Sequence, residues 1–134
     1  MSEPLLAAMR KLKVMIVDDH AAFRRVAKSL LQPLIAEWVE CKDGHEAVRR
    51  YPQAQPDLVL MDIAMKPLDG LRASAQIKAR FPDARIVMLT QYDEADLRAA
   101  AREVGAIAYL LKENLLEARD FIEAGTWREQ PKSK

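Results

Sequence analysis

Val14-Met15-Ile16-Val17-Asp18-Asp19 is a short apolar run that stops abruptly at two carboxylates, and Leu58-Val59-Leu60-Met61-Asp62 repeats the pattern. Continuous apolar runs of this length, without polar alternation, mark strands covered on both faces, as in a parallel sheet. Ile86-Val87-Met88-Leu89, followed by Thr90, and Ile107-Ala108-Tyr109-Leu110-Leu111, followed by Lys112, are two more. Ile35 to Cys41 is a weaker fifth, interrupted by Glu37 and Glu40, as expected of an edge strand.

Between the runs the period becomes helical. Phe23, Val26, Ala27, Leu30 and Leu31 are predicted to share one face, as are Leu97, Ala100, Ala101 and Val104, and then Leu115, Ala118 and Ile122. Asp43 with Glu46 three residues on resembles a capping box for a short helix through Tyr51, and Gly105 stands where a helix-terminating glycine belongs. Pro52 to Pro56 and Phe81-Pro82-Asp83 read as loop punctuation. Strand alternating with helix five times implies a doubly wound α/β fold: a five-stranded parallel sheet with helices on both faces.

The 134 residues suit one domain, placed at 12–125 between an N-terminal tail, 1–11, and a C-terminal tail, 126–134. Half the residues are apolar and 31% charged, an ordinary globular balance, and a net charge of +1 offers little to a nucleic-acid backbone or an anionic membrane. No apolar stretch approaches the ~20 residues of a spanning helix, and Leu5-Leu6-Ala7-Ala8-Met9 is too short for a signal-peptide core, so a cytoplasmic location is expected. Cys41, the single cysteine, reads as a small buried hydrophobe. Neither phosphate-cradling glycine motif occurs among the four glycines. Trp127, beyond Gly125, is expected to pack back on the domain or to meet a partner.

Ligands of doubly wound sheets bind outside the carboxyl ends of the strands, so the residue following each run matters most. Those residues are Asp18 and Asp19, Asp62, Thr90 and Lys112. Clustered carboxylates repel one another unless a cation intervenes. Mg²⁺ suits them, because it takes one or two carboxylates and keeps positions open for water and phosphate oxygens. One carboxylate can then attack phosphorus while an ammonium offsets the charge of the transferred group. Asp62, alone at a central strand end, is the better nucleophile, and Asp18 with Asp19 reads as a metal grip.

With Val17-Asp18-Asp19, Met61-Asp62, Pro67, Asp69-Gly70, Leu89-Thr90 and Tyr109-Leu110-Leu111-Lys112 in this order, the sequence resembles the receiver domain of two-component response regulators over roughly residues 12 to 125. The resemblance implies a flavodoxin-like sheet of order 2-1-3-4-5 and a stand-alone signalling module, not an enzyme beyond its own phosphorylation and dephosphorylation. It implies that Asp62 accepts a phosphoryl group from a sensor histidine kinase or a small donor. Asp18, Asp19, Asp62 and the Ala64 backbone carbonyl would hold Mg²⁺. Lys112 would contact the phosphoryl oxygens. Thr90 would move toward them and Tyr109 would turn inward, remodelling the face of the fourth helix, fifth strand and fifth helix for a protein target or a homodimer, without direct nucleic-acid or membrane binding. Ala64 and Tyr92 would flank the phosphate and tune its hydrolysis.

The family's usual proline four residues after the acceptor is displaced: Lys66 holds that place and Pro67 follows, which predicts altered loop geometry, and Gln91 is bulkier than the small residue often found beside Thr90. Arg24, Arg25 and Lys28 read as a solvated face on a helix that such domains often offer to kinases, and His20 as a helix-start residue rather than a ligand. Two other functions fit some of these residues. A haloacid-dehalogenase-like phosphatase also combines Mg²⁺, Asp, Thr and Lys, but its first strand ends in Asp-x-Asp where this chain has Asp18-Asp19-His20. A receiver fold used purely for docking, without phosphorylation, is the other.

Overall fold

The computed structural model describes Ser2 and residues 12–129; the rest of the expected N-terminal tail and residues 130–134 lie outside the described residues. The elements are β1 (Leu12–Val17), α1 (Ala21–Leu31), β2 (Ile35–Cys41), α2 (Gly44–Ala54), β3 (Leu58–Met61), α3 (Gly70–Arg80), β4 (Ile86–Thr90), α4 (Ala95–Glu103), β5 (Ala108–Leu111) and α5 (Leu115–Ala124), with short 3-10 turns at Gln32–Leu34, Lys112–Asn114 and Thr126–Glu129. Every strand pairing is parallel and the order is β2-β1-β3-β4-β5. The fold class and strand order agree with the sequence, and β2 lies at an edge. No helix among the described residues is long and apolar enough to cross a membrane.

Alternation along each strand divides the core into two layers. Met15, Val17, Val59, Met61, Ile86 and Met88 pack under α2, α3 and α4, against Ala47, Ala73, Ile77 and Ala101. Val14, Ile16, Leu58, Leu60, Val87 and Leu89 face the other way, against Ala27 and Leu31 of α1 and Ala118 and Ile122 of α5. The pairing Val17↔Met61 brings the residues after β1 and β3 side by side.

Local chemistry explains the helix ends. Asp43 caps α2 by accepting from the Glu46 N–H at 2.8 Å, and Glu46 returns the bond by accepting from the Lys42 N–H at 2.9 Å. Behind α4, Gly105 takes a φ of 91°, which lets its N–H bond the Arg102 carbonyl (3.1 Å) and the Ala106 N–H bond the Ala101 carbonyl (3.0 Å).

Three expectations need correction. α2 runs through Pro52 to Ala54, with Pro52 giving up its own i→i−4 bond inside the helix, and Gln55 ends it in the left-handed conformation, its N–H bonding the Tyr51 carbonyl. Val26 turns outward with 56% exposure: it lies one residue off the Phe23, Ala27 and Leu31 stripe, about 100° around the helix. Arg24 and Lys28 are not a free solvated face, since both side chains bond Glu40 on β2, at 3.1 and 2.8 Å. Of the two expectations for Trp127, the structure shows the first, packing back on the domain. Trp127 is 1% exposed within the α1 and α5 layer, its indole N–H donates to the Ile122 carbonyl at 3.2 Å, and the guanidinium groups of Arg85 and Arg128 lie over its ring.

A buried tryptophan of this kind contributes heavily to stability. Trp127→Ala is expected to cost about 3–5 kcal/mol in urea denaturation, and a chain ended at 125 should be destabilised comparably; equal stability of the shortened and full chains would contradict this packing.

Candidate functional site

The parallel ladder runs one residue beyond the ends of β1 and β3. The Asp18 N–H donates to the Cys41 carbonyl (3.0 Å) and the Asp62 N–H to the Val17 carbonyl (2.9 Å), so both backbones are fixed at the sheet's carboxyl rim. Their side chains are shut away from water, with Asp18 1% and Asp62 3% exposed, whereas Asp19 points outward. Lys112 enters from the end of β5 and places its Nζ 2.6 Å from Asp18 Oδ2 and 3.5 Å from Asp62 Oδ2. The strand ends therefore do bring Asp18, Asp19, Asp62 and Lys112 together.

Their charges do not balance. One ammonium pairs with two buried carboxylates and leaves a third, Asp19, nearby, and burial pushes the Asp62 carboxyl up to about 6, with the charges of Asp18 and Asp19 adding to the rise and Lys112 opposing it. Asp18 Oδ2 is buried and, beyond its ion-pair contact with Lys112, accepts no hydrogen bond. An excess of hard oxygen donors, one of them unsatisfied, fits a small divalent cation. His20 adds to this rim as the N-terminal cap of α1: its backbone N–H donates to Asp18 Oδ1 at 2.8 Å and its Nδ1 lies 2.9 Å from Asp19 Oδ1, so Asp18, Asp19 and His20 offer donor atoms within 4.8 Å of one another.

Thr90 ends β4 and is fully buried; its hydroxyl oxygen accepts from the Tyr92 N–H at 3.4 Å. Tyr109 is tied to the same loop: its hydroxyl donates to the Tyr92 carbonyl at 2.5 Å, and the Arg98 guanidinium, paired with Asp93 at 2.8 Å, lies 4.6 Å from its ring centre. Tyr92 and Ala64 are exposed on either side of the rim. The loop after Asp62 contains a cis Lys66–Pro67 peptide and is pinned by the Gly70 N–H, which donates to the Ile63 carbonyl at 2.9 Å. A Cβ on Gly70 would overlap the Asp62 carbonyl, so glycine is what lets the N-terminus of α3 approach the site so closely.

Sequence reasoning missed two supports. Arg24 donates to the Asp18 carbonyl at 2.5 Å while bonding Glu40, and Phe23 lays its ring against Lys112. Helical periodicity could place both residues on α1, but their partners lie on β1, β2 and after β5, and sequence spacing carries no trace of those contacts.

The raised Asp62 carboxyl makes stability depend on pH. Between the unfolded value of about 3.9 and about 6, the folded chain holds a proton that the unfolded chain releases, so stability falls as pH rises through that window. With metal chelated, Asp62→Asn is expected to be more stable than the unsubstituted chain at pH 7.5 by about 1–3 kcal/mol, a margin that closes as pH approaches 4. Urea denaturation across this range checks it, and a margin unchanged by pH would contradict it.

A family model described as the response regulator receiver domain matches residues 14–123. The chemotaxis protein CheY of Listeria monocytogenes is 36% identical over 102 residues, covering 75% of this chain and 86% of CheY. The transcriptional regulatory protein DegU of Brevibacillus brevis is 34% identical over 116 residues, covering 85% of this chain and 48% of DegU, and LiaR of Bacillus subtilis is 36% identical over 118 residues, covering 86% and 56%. The chain thus spans about half the length of these two regulators. Among solved structures, the response regulator domain of Thermotoga maritima CheB superimposes with a TM-score of 0.80 at 26% identity, covering 90% of this chain and 98% of that one. Sequence and fold converge on one answer: this chain belongs to the response regulator receiver domains of two-component signalling.

Proposed function

We propose that this receiver is phosphorylated on Asp62 and signals by protein contact through α4, β5 and α5. The observation that supports this reading most directly is the Lys112 ammonium set between two buried carboxylates, closer to Asp18 than to Asp62. Asp62 is left with enough negative character to attack and with a cation in reach of the group it would acquire.

An Asp62 carboxylate oxygen attacks phosphorus as the bond from phosphorus to the donor's leaving group breaks. That bond is P–N in the phosphohistidine of a sensor kinase and P–O in a small acyl phosphate; the imidazole or carboxylate leaves with the bonding electrons. Asp18, Asp19, Asp62 and the Ala64 carbonyl would hold Mg²⁺, which when bound supplies positive charge to the phosphoryl oxygens. Lys112 swings from Asp18 toward those oxygens. Thr90 donates its hydroxyl to one of them, giving up its place as acceptor for the Tyr92 N–H. That pulls on the loop to which Tyr109 is bonded, so the phosphoryl charge of about −1.5 to −2 reaches the α4–β5–α5 face. A cytoplasmic setting, a histidine kinase partner and either a protein target or a second copy on that face complete the proposal. The phosphatase alternative is disfavoured by the receiver match and by a nucleophile candidate that follows β3 rather than β1.

Incubation with acetyl phosphate and Mg²⁺, followed by mass spectrometry, is expected to show one added phosphoryl group that does not form when EDTA is present from the start or in Asp62→Asn. A label retained in that variant would contradict the assignment, and no label on the unsubstituted chain would favour the docking module. Ala64 is apolar and Tyr92 aromatic, with no carboxylate or amide between them, so in this reading they orient the hydrolytic water poorly. The phosphorylated form is therefore expected to persist for minutes or longer after the donor is removed, and decay within seconds would count against their assigned role.

A further inference from the structure

We propose that Phe23 is a positioning residue for phosphoryl transfer, holding the Lys112 ammonium at the rim through the face of its ring. The inference rests on the reading of Asp62 as phosphoacceptor and adds to it a residue outside the carboxylate cluster.

Lys112 Nζ lies 4.5 Å from the centre of the Phe23 ring, close enough for the ring's negative face to attract the cation. Its other neighbours are Asp18 at 2.6 Å and Asp62 at 3.5 Å, and its side chain is 13% exposed, so two carboxylates and one ring face make up its principal surroundings. The three contacts differ in kind. Each carboxylate attracts the ammonium as an ion pair, and the nearer one, on Asp18, holds it away from the acceptor. The ring attracts it without fixing its rotation about the contact. An ammonium that must leave Asp18 for the oxygens of a phosphoryl group on Asp62 thus keeps one constant partner while it exchanges the others, and the ring keeps water from solvating the side it covers. α1 fixes the ring in turn: Phe23 is partly buried against the α1 and α5 layer, with Ala27 beneath it, while Arg24 ties the next residue of α1 to Asp18 and Glu40.

A packing role and an electrostatic role separate in a series that keeps the ring's volume. Phe23 is replaced by mono-, di- and trifluorinated phenylalanine, which progressively weaken the negative ring face, and by cyclohexylalanine, which abolishes it. The rate of Mg²⁺-dependent phosphorylation by acetyl phosphate is expected to fall stepwise with each fluorine and by about three- to tenfold at cyclohexylalanine, while Phe23→Tyr retains the original rate. Independently of metal and phosphodonor, the Lys112 ε-protons should resonate upfield in NMR spectra of the unsubstituted chain and lose that ring-current shift in Phe23→Leu. A flat fluorine series, or unshifted ε-protons, in a chain that does accept the phosphoryl group would overturn the role of Phe23. An unsubstituted chain that accepts none would instead remove the reading of Asp62, and this inference with it.

Discussion

The ammonium of Lys112 between Asp18 and Asp62 is the interaction on which the rest depends. Two carboxylates beside each other in a low-dielectric rim are mutually destabilising, and the single cation offsets only part of that cost. The imbalance gives the site its capacity. A chain whose rim was neutral would have no affinity for a divalent cation and no reason to rearrange when charge is added. Here the ammonium already has two competing acceptors, Asp18 and Asp62, on either side of it.

Ordinary folding rules place this conflict. Apolar residues facing both ways along β1 and β3 force those strands into the middle of the sheet, and parallel pairing brings their carboxyl ends to one edge. The ladder bonds from Asp18 to Cys41 and from Asp62 to Val17 then leave each carboxylate little freedom to escape its neighbour. α1 braces the rim from one side, with Arg24 on the Asp18 carbonyl and Phe23 under the ammonium. α3 braces it from another, through a glycine that admits no side chain. On the far side Tyr92 accepts from Tyr109, so the loop following Thr90 has one end at the site and the other on an exposed face.

Much of this was legible in the sequence, for reasons specific to each element. The strands could be placed nearly residue by residue because continuous apolar runs have few alternatives, and once parallel pairing was inferred the residues closing them had to share an edge. The capping pair Asp43 and Glu46 and the terminal Gly105 were visible because their bonds are local. Tertiary contacts were not. Arg24 and Lys28 look solvated until Glu40 is placed on the neighbouring strand, and Trp127 looks like part of a tail until the lower end of the α1 and α5 layer is seen to need filling. Val26 belonged to an apolar stripe by spacing but fell off it by rotation, because a helix face narrower than the stripe is what packs on the sheet.

The claim that these side chains form one cation-binding rim is tested most directly by paramagnetic NMR with Mn²⁺ in place of Mg²⁺. At low Mn²⁺ concentration the backbone amide signals of Asp18, Asp19, Asp62, Ile63, Ala64 and Lys112 should broaden together, while those around Trp127 at the opposite end of the strands stay sharp. Broadening confined to scattered surface carboxylates such as Glu103 and Glu113, with the six rim signals untouched, would contradict the account.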